Sequence, residues 1–349
     1  AAMAAPEDAP EDAPQRALER ALEPPDAQHE RRPESTVSHS GGLPVAFGLG
    51  RFAEFDAEGI VVRPVEPVDE LFARFGGRCL ALRGALTLAE CEFLVAEMSA
   101  AGTMEQVAYR HDYRRNDRCV FESRELADVL WRRVQPVAES LALWADPLEP
   151  EDQRLLDADD SNAQACPEEL RLRKGDGGVW RPTGLNECLR FCRYNRGGFF
   201  RAHADASFRR SEDEMSLFTC MFYLDGDFGG GATRFLNIDA TLTDQTYLQP
   251  AAEDQLLASV VPEPGLCLLF FQPGLVHEGE DLLWGTKHIL RTDVMFRRDA
   301  GTGPRRTPQE AEAWALVREA QEAEANCECD RACKLYRRAF KLDPSLERA

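Results

Sequence analysis

"SLFTCMFYLDGDFGGGATRFL", residues 216–236, holds an apolar run, an Asp-Gly turn, a glycine cluster and a second apolar run, with no length left for a helix between them. Phe, Tyr, Thr and Met segments bounded by Gly and Asp read as short strands. The same texture continues on both sides. "NECLRFCRYN" (186–195) and "GFFRAHADAS" (198–207) precede it; "GLCLLFFQPG" (265–274), "LVHEGEDLL" (275–283) and "TKHILRTDVMFRR" (286–298) follow. At least seven strands joined by turns predict a sandwich or jelly-roll barrel. The glycine cluster itself reads as a flexible hairpin.

Upstream, the pattern changes. "VAFGLGRF" (45–52) and "GIVVRPVEPV" (59–68) read as short strands around turns. "TLAECEFLVAEMSAAG" (87–102) places Leu88, Cys91, Leu94 and Met98 at helical spacing, with Thr87 as N-cap and Glu90 completing a capping box. "SRELADVLWRRVQPVAESLALWA" (123–145) predicts a second amphipathic helix, kinked or split at Pro136. "PQEAEAWALVREAQEAEAN" and "CDRACKLYRRAFKLDPSLE" return to helix at the far end. The expected fold class is therefore mainly β with helical support (α+β): a barrel flanked by N-terminal helices and a helical tail.

The expected domains are a disordered acidic Pro/Ala-rich tail (1–42), a region of strands, support helices and an acidic loop (43–180), the barrel (181–299) and the helical tail (300–349). The disorder follows from "APEDAPEDAP" and its neighbours, which offer too little apolar side chain to offset the entropy of ordering. The acidic stretch at 147–180 and the segment 237–258 are the expected substrate-contacting loops.

A formal charge of -20 excludes a general nucleic-acid binder, which needs clustered Lys and Arg. No run of about 18 apolar residues occurs, so no membrane span is expected. Eleven cysteines are scattered, mostly inside apolar runs, which suits reduced, buried thiols in the cytoplasm or nucleus better than a disulfide framework. Cys327, Cys329 and Cys333 cluster, but a closed zinc site needs four ligands and no fourth lies nearby.

Six histidines are present, and one forms His203-Ala-Asp205. Alternation on a strand turns residues i and i+2 the same way, so both side chains can face a barrel interior. His277, at the end of another apolar strand, supplies a third residue of the right type for a facial triad of two imidazoles and one carboxylate. Ten residues further on, Lys287 opens a strand whose alternation places Lys287, Ile289, Arg291 and Asp293 on one face. A cation directed into an apolar barrel is costly unless it meets an anion, either a bound acid or a neighbour such as Asp293.

"LRFCRYNRGGFFRAHADASFRR", "SLFTCMFYLDGDFGGGATRFL", "PGLCLLFFQPGLVHEG" and "GTKHILRTDVMFRR" together resemble the double-stranded β-helix core of the iron(II)- and 2-oxoglutarate-dependent dioxygenases, in the prolyl 4-hydroxylase-like branch. The resemblance covers about residues 185–298. It implies that His203, Asp205 and His277 ligate Fe(II), and that Lys287 pairs with the distal carboxylate of 2-oxoglutarate. Tyr194 and Tyr223 match tyrosines lining the cosubstrate pocket. Arg291 shares a face with Lys287 but lies about 13 Å along the strand at roughly 3.3 Å per residue, which leaves it as a substitute for Lys287 or a substrate-side group.

The implied activity is hydroxylation of a C–H bond with O2, releasing succinate and CO2, with ascorbate as reductant and a prolyl residue of a protein as the favoured substrate. Ligation needs neutral imidazole, so metal affinity is expected to fall below about pH 6. The alternative is a catalytically degenerate barrel serving as a protein-binding scaffold. The helical tail is similar to a single tetratricopeptide repeat and offers a surface for a partner.

Overall fold

A computed structural model describes residues 52, 59–73, 78–100, 104–106, 110–141, 143–145, 177–237, 248–272, 274–303, 307–325, 329–344 and 346. The expected tail at 1–42, the strand at 45–52 apart from Phe52, most of the acidic loop, and Cys327 with the Cys329 side chain lie outside the described residues.

The N-terminal region contributes β1 (Val61–Pro64), α1 (Val68–Ala73), β2 (Cys79–Arg83), α2 (Leu88–Ala100), β3 (Glu105–Gln106), β4 (Arg114–Arg115), β5 (Asp117–Glu122), α3 (Arg124–Ala138) and β6 (Leu143–Ala145). The barrel region follows with β7 (Gly178–Leu185), β8 (Cys188–Asn195), β9 (Phe199–His203), β10 (Arg209–Ser211), β11 (Glu214–Tyr223), β12 (Phe228–Gly230) and β13 (Thr233–Leu236). It closes with β14 (Leu256–Val260), β15 (Cys267–Phe271), β16 (His277–Gly279) and β17 (Leu282–Arg298). The tail is α4 (Pro308–Ala325) and α5 (Cys329–Leu342).

Two sheets result. A twelve-stranded sheet runs β1-β2-β15-β11-β17-β8-β5-β3 along its main path, and a five-stranded sheet runs β14-β13-β16-β9-β4. The fold is mainly β with helical support, a jelly-roll barrel. β11 and β15 are nearly continuous buried runs because both faces of their sheet are covered. Phe191, Phe218, Phe222, Phe270, Phe296 and Trp180 are fully buried between the layers. The major sheet draws β2 and β5 from upstream of residue 181 as well as strands from downstream, so the core crosses the boundary expected there.

The helices show what local sequence rules decide and what they leave to packing. In α2 the Thr87–Glu90 box forms, with Glu90 N donating to Thr87 Oγ1 at 3.3 Å and Thr87 N to Glu90 Oε2 at 2.8 Å. Leu88, expected on the buried face, is instead 63% exposed. Its place is taken by Glu90, which is buried because Arg133 of α3 meets its carboxylate at 2.5 Å. α3 is not split at Pro136: the helix runs through it to Ala138, a short 3-10 turn follows, and Leu143–Ala145 become a strand. A proline so close to the C-terminus removes a single backbone bond at a place where the ladder is already ending.

The glycine cluster also differs from the expected hairpin. β12 pairs with β17, Phe228 opposite Gly285, and Gly231 has φ near +72°. In the tail, α4 and α5 bury a small core of their own, Leu316 and Ala320 against Ala332 and Leu335. A second Thr-Glu box, Thr307 with Glu310, starts α4.

Candidate metal centre

β16 and β9 are adjacent antiparallel strands in the smaller sheet, and the register sets His277 directly opposite His203. Their rings are 4.3 Å apart, centre to centre. Asp205 lies two residues past the end of β9 rather than on it. Its Oδ1 is 3.8 Å from His203 Nε2 and its Oδ2 is 3.7 Å from His277 Nε2. One donor atom from each of the three residues lies within 4.8 Å of the others.

The second ring nitrogens decide whether this set fits a metal. His203 Nδ1 lies 2.7 Å from the Arg201 carbonyl and His277 Nδ1 lies 3.0 Å from the Leu275 carbonyl. A carbonyl oxygen only accepts, so both Nδ1 atoms carry the proton and both Nε2 lone pairs face Asp205. Burial pushes both imidazoles below their ordinary range, and for His203 the neighbouring His277 adds to the effect. Both rings are therefore neutral at pH 7, the form that binds metal. Burial alone would push the Asp205 carboxyl up, but Arg291, the two histidines and Thr219 outweigh it and hold the group well below the usual carboxylate range. Two neutral imidazoles and one carboxylate suit Fe(II).

Lys287, Tyr194 and Tyr223 lie together. Lys287 stands opposite Tyr194 across the β17–β8 pair, and its Nζ lies 5.5 Å and 5.4 Å from the ring centres of Tyr194 and Tyr223. The Nζ donates to the Gly231 carbonyl at 2.5 Å. Burial lowers Lys287 to about 8 and pushes Tyr194 up to about 12. The Tyr223 hydroxyl is 2.6 Å from Thr233 Oγ1. Thr233 is two residues along β13 from Phe235, which pairs with His277, so this pocket begins roughly 7 Å from the triad.

Arg291 reaches the triad. Its Nη2 lies 3.0 Å from Asp205 Oδ1 and 3.5 Å from Asp293 Oδ1. Thr219 donates to Asp205 Oδ2 at 2.6 Å. Sequence reasoning missed Thr219 and Thr233. Alternation along β11 from Tyr223 reaches Thr219 on the same face four residues back, a signal that was available. Thr233 has none, because its role depends on which strand lies beside β11.

Residues 189–291 match the family model of the 2OG-Fe(II) oxygenase superfamily. This segment is a 2OG-Fe(II) oxygenase domain. The match includes both histidines, Asp205, Lys287 and Arg291, so the oxygenase assignment and the triad fall on the same residues. Membership implies Fe(II), 2-oxoglutarate and O2 as the reacting set. No curated protein matches the chain. Among solved structures, it is similar to the viral collagen prolyl hydroxylase of Paramecium Bursaria Chlorella virus-1 in its 2OG complex, at 16% identity over 63% of this chain and 96% of that one, with a TM-score of 0.35. A Pseudomonas putida prolyl-4-hydroxylase gives 17% identity, 67% and 98% coverage and a TM-score of 0.38. A Trichoplax adhaerens prolyl hydroxylase in complex with a hypoxia inducible factor peptide fragment gives 14%, 66%, 87% and 0.39. At these scores the neighbours say nothing about the oxygenase site itself.

Proposed function

We propose that the protein is an Fe(II)- and 2-oxoglutarate-dependent hydroxylase acting on a prolyl residue of a protein or peptide, releasing succinate and CO2, with ascorbate as reductant. The observation that carries the reading is the convergence of two imidazole Nε2 atoms and one carboxylate in a barrel that also buries a lysine against Tyr194 and Tyr223. His203, Asp205 and His277 would hold the iron. Bound iron supplies open coordination positions and the oxygen chemistry that no side chain here provides.

The chain's own residues do the rest. Protonated Lys287, with the Tyr223 and Thr233 hydroxyls beside it, takes the distal carboxylate of 2-oxoglutarate. The Arg201 and Leu275 carbonyls hold the imidazoles in the ligating tautomer. Phe235 and Phe270, buried against His277, wall that side of the centre from water. The prolyl part of the reading rests on the lysine at 287, ten residues after His277, and on the four resembling segments. Among the described residues the cysteines are free thiols, most of them buried, which supports a reducing compartment, cytoplasmic or nuclear.

The test is succinate release from 2-oxoglutarate with Fe(II) and ascorbate, together with a peptide screen for products heavier by one oxygen atom. His203→Ala and Asp205→Ala are expected to abolish both signals. A wild-type protein that binds neither iron nor 2-oxoglutarate refutes the reading.

A further inference from the structure

Asp205 is held at both ends of its carboxylate. Arg291 meets Oδ1 from β17, in the major sheet, and Thr219 donates to Oδ2 from β11, the neighbouring strand. Met221 is the residue directly opposite Arg291, so Thr219 is its diagonal neighbour on the same face. Asp205 itself belongs to the stretch that follows β9 of the smaller sheet. The contact therefore crosses from one sheet to the other.

The holding groups are themselves held. Asp293 lies 3.5 Å from Arg291 and 3.4 Å from Arg190, and it accepts from Gln272 Nε2 at 2.8 Å. Gln272 Oε1 accepts from Ser216 Oγ at 2.8 Å, which fixes which end of the amide faces Asp293. Ser216 Oγ also accepts from the Phe208 backbone N at 2.7 Å, three residues after Asp205, and so ties the network back to the segment bearing that aspartate. Asp293, Gln272, Ser216 and Thr219 are all at or below 1% exposure. Breaking a satisfied network at that depth is expensive, so its members have little freedom to choose other partners.

We propose that Arg291 and Thr219 form a clamp that positions Asp205 for metal binding, one partner on each carboxylate oxygen, with the Asp293–Gln272–Ser216 network holding the clamp. The inference rests on Asp205 being a metal ligand. Arg291 is a positioning residue in this arrangement, not a cosubstrate anchor. Two effects oppose each other at Asp205. A guanidinium 3.0 Å from the ligand repels an arriving divalent cation, while a carboxylate already fixed in place loses no rotamer freedom on binding. The clamp requires the second effect to win.

The full chain, stripped of metal with a chelator, is titrated with Co(II), and the visible absorption and competition with a metal-binding dye are read. Arg291→Gln is expected to weaken Co(II) binding roughly 10- to 100-fold and to shift the absorption bands, the loss usual when a ligand's supporting contact is removed. Arg291→Lys restores part of the affinity. Thr219→Val, nearly isosteric, produces a loss in the same direction and decides the matter if Arg291→Gln does not fold. Arg193→Gln is the matched control: it deletes an arginine of β8 that pairs with Asp117 outside this network, and binding stays at the wild-type value.

Unchanged or tighter Co(II) binding in Arg291→Gln overturns the clamp, as does an equal loss in Arg193→Gln. So does a Thr219→Val protein indistinguishable from wild type. A wild-type spectrum insensitive to His203→Ala overturns the site reading, and the clamp with it; a His203-dependent spectrum that ignores Arg291 and Thr219 overturns the clamp alone.

Discussion

In the proposed function Lys287 is the buried charge that holds the cosubstrate, and its protonation would give a measurable signature. The residue is 4% exposed, and burial brings it from the ordinary 10.5 to about 8. If the ammonium form holds the distal carboxylate of 2-oxoglutarate, as proposed, binding would be full below about pH 8 and lost as pH rises through it. Only the competent fraction binds, and apparent affinity scales with that fraction: about nine-tenths at pH 7 and about one-tenth at pH 9. The expected loss between those values is about tenfold, or about 1.4 kcal/mol. An exposed lysine titrating near 10.5 would give an almost flat profile over the same range. Calorimetric titration of metal-loaded protein with 2-oxoglutarate reads the affinity. Repeating it above pH 8 in two buffers of different ionisation heat reads the proton taken up on binding. Lys287→Arg, always charged, is expected to bind with no such pH dependence. Affinity that stays flat from about pH 7 to 9.5 without proton uptake would falsify the assignment of Lys287 as a buried ionic anchor.

Four further outcomes are expected. The metal-free protein loses stability as pH falls through 6.5, because the unfolded chain then takes up protons that buried His203 and His277 refuse; thermal unfolding of wild type against a His203→Gln/His277→Gln protein checks it, and an equal acid slope in both refutes it. The same depression moves acid loss of metal to a lower pH than the value near 6 expected for unperturbed imidazoles. Arg133→Met leaves the Glu90 carboxylate buried without its partner and costs about 3–5 kcal/mol in denaturant unfolding, whereas Glu90→Gln/Arg133→Met together cost less. Gly231→Ala puts a Cβ 2.8 Å from Leu282 Cδ1 and 3.3 Å from Lys287 Cδ at a positive φ; a stability loss of about 1–2 kcal/mol and weaker 2-oxoglutarate binding are expected, and wild-type affinity would contradict the role of this turn.

The barrel strands, the Thr87–Glu90 box and both tail helices follow from patterns a few residues long, and so does the grouping of His203 with Asp205 and of Lys287 with Arg291 on one face. Strand alternation and helix capping act over one or two turns of chain, which is why they can be read without knowing neighbours. Leu88, Pro136 and the glycine cluster went the other way. For two of them the decision lay with a group distant in sequence, Arg133 for the place Leu88 was expected to fill and β17 for the glycines; for Pro136 it lay with its position in a helix already ending.

By itself, then, the sequence determined the strand-rich core, the residue types of the triad and the lysine beside it. The tertiary structure decided that His277 sits opposite His203, that Thr233 completes the lysine pocket, and that Arg291 turns to Asp205 instead of joining Lys287. The physical reason is that register between strands far apart in the chain is fixed by which faces they bury together, and a one-residue slip would send every one of these side chains to the opposite face.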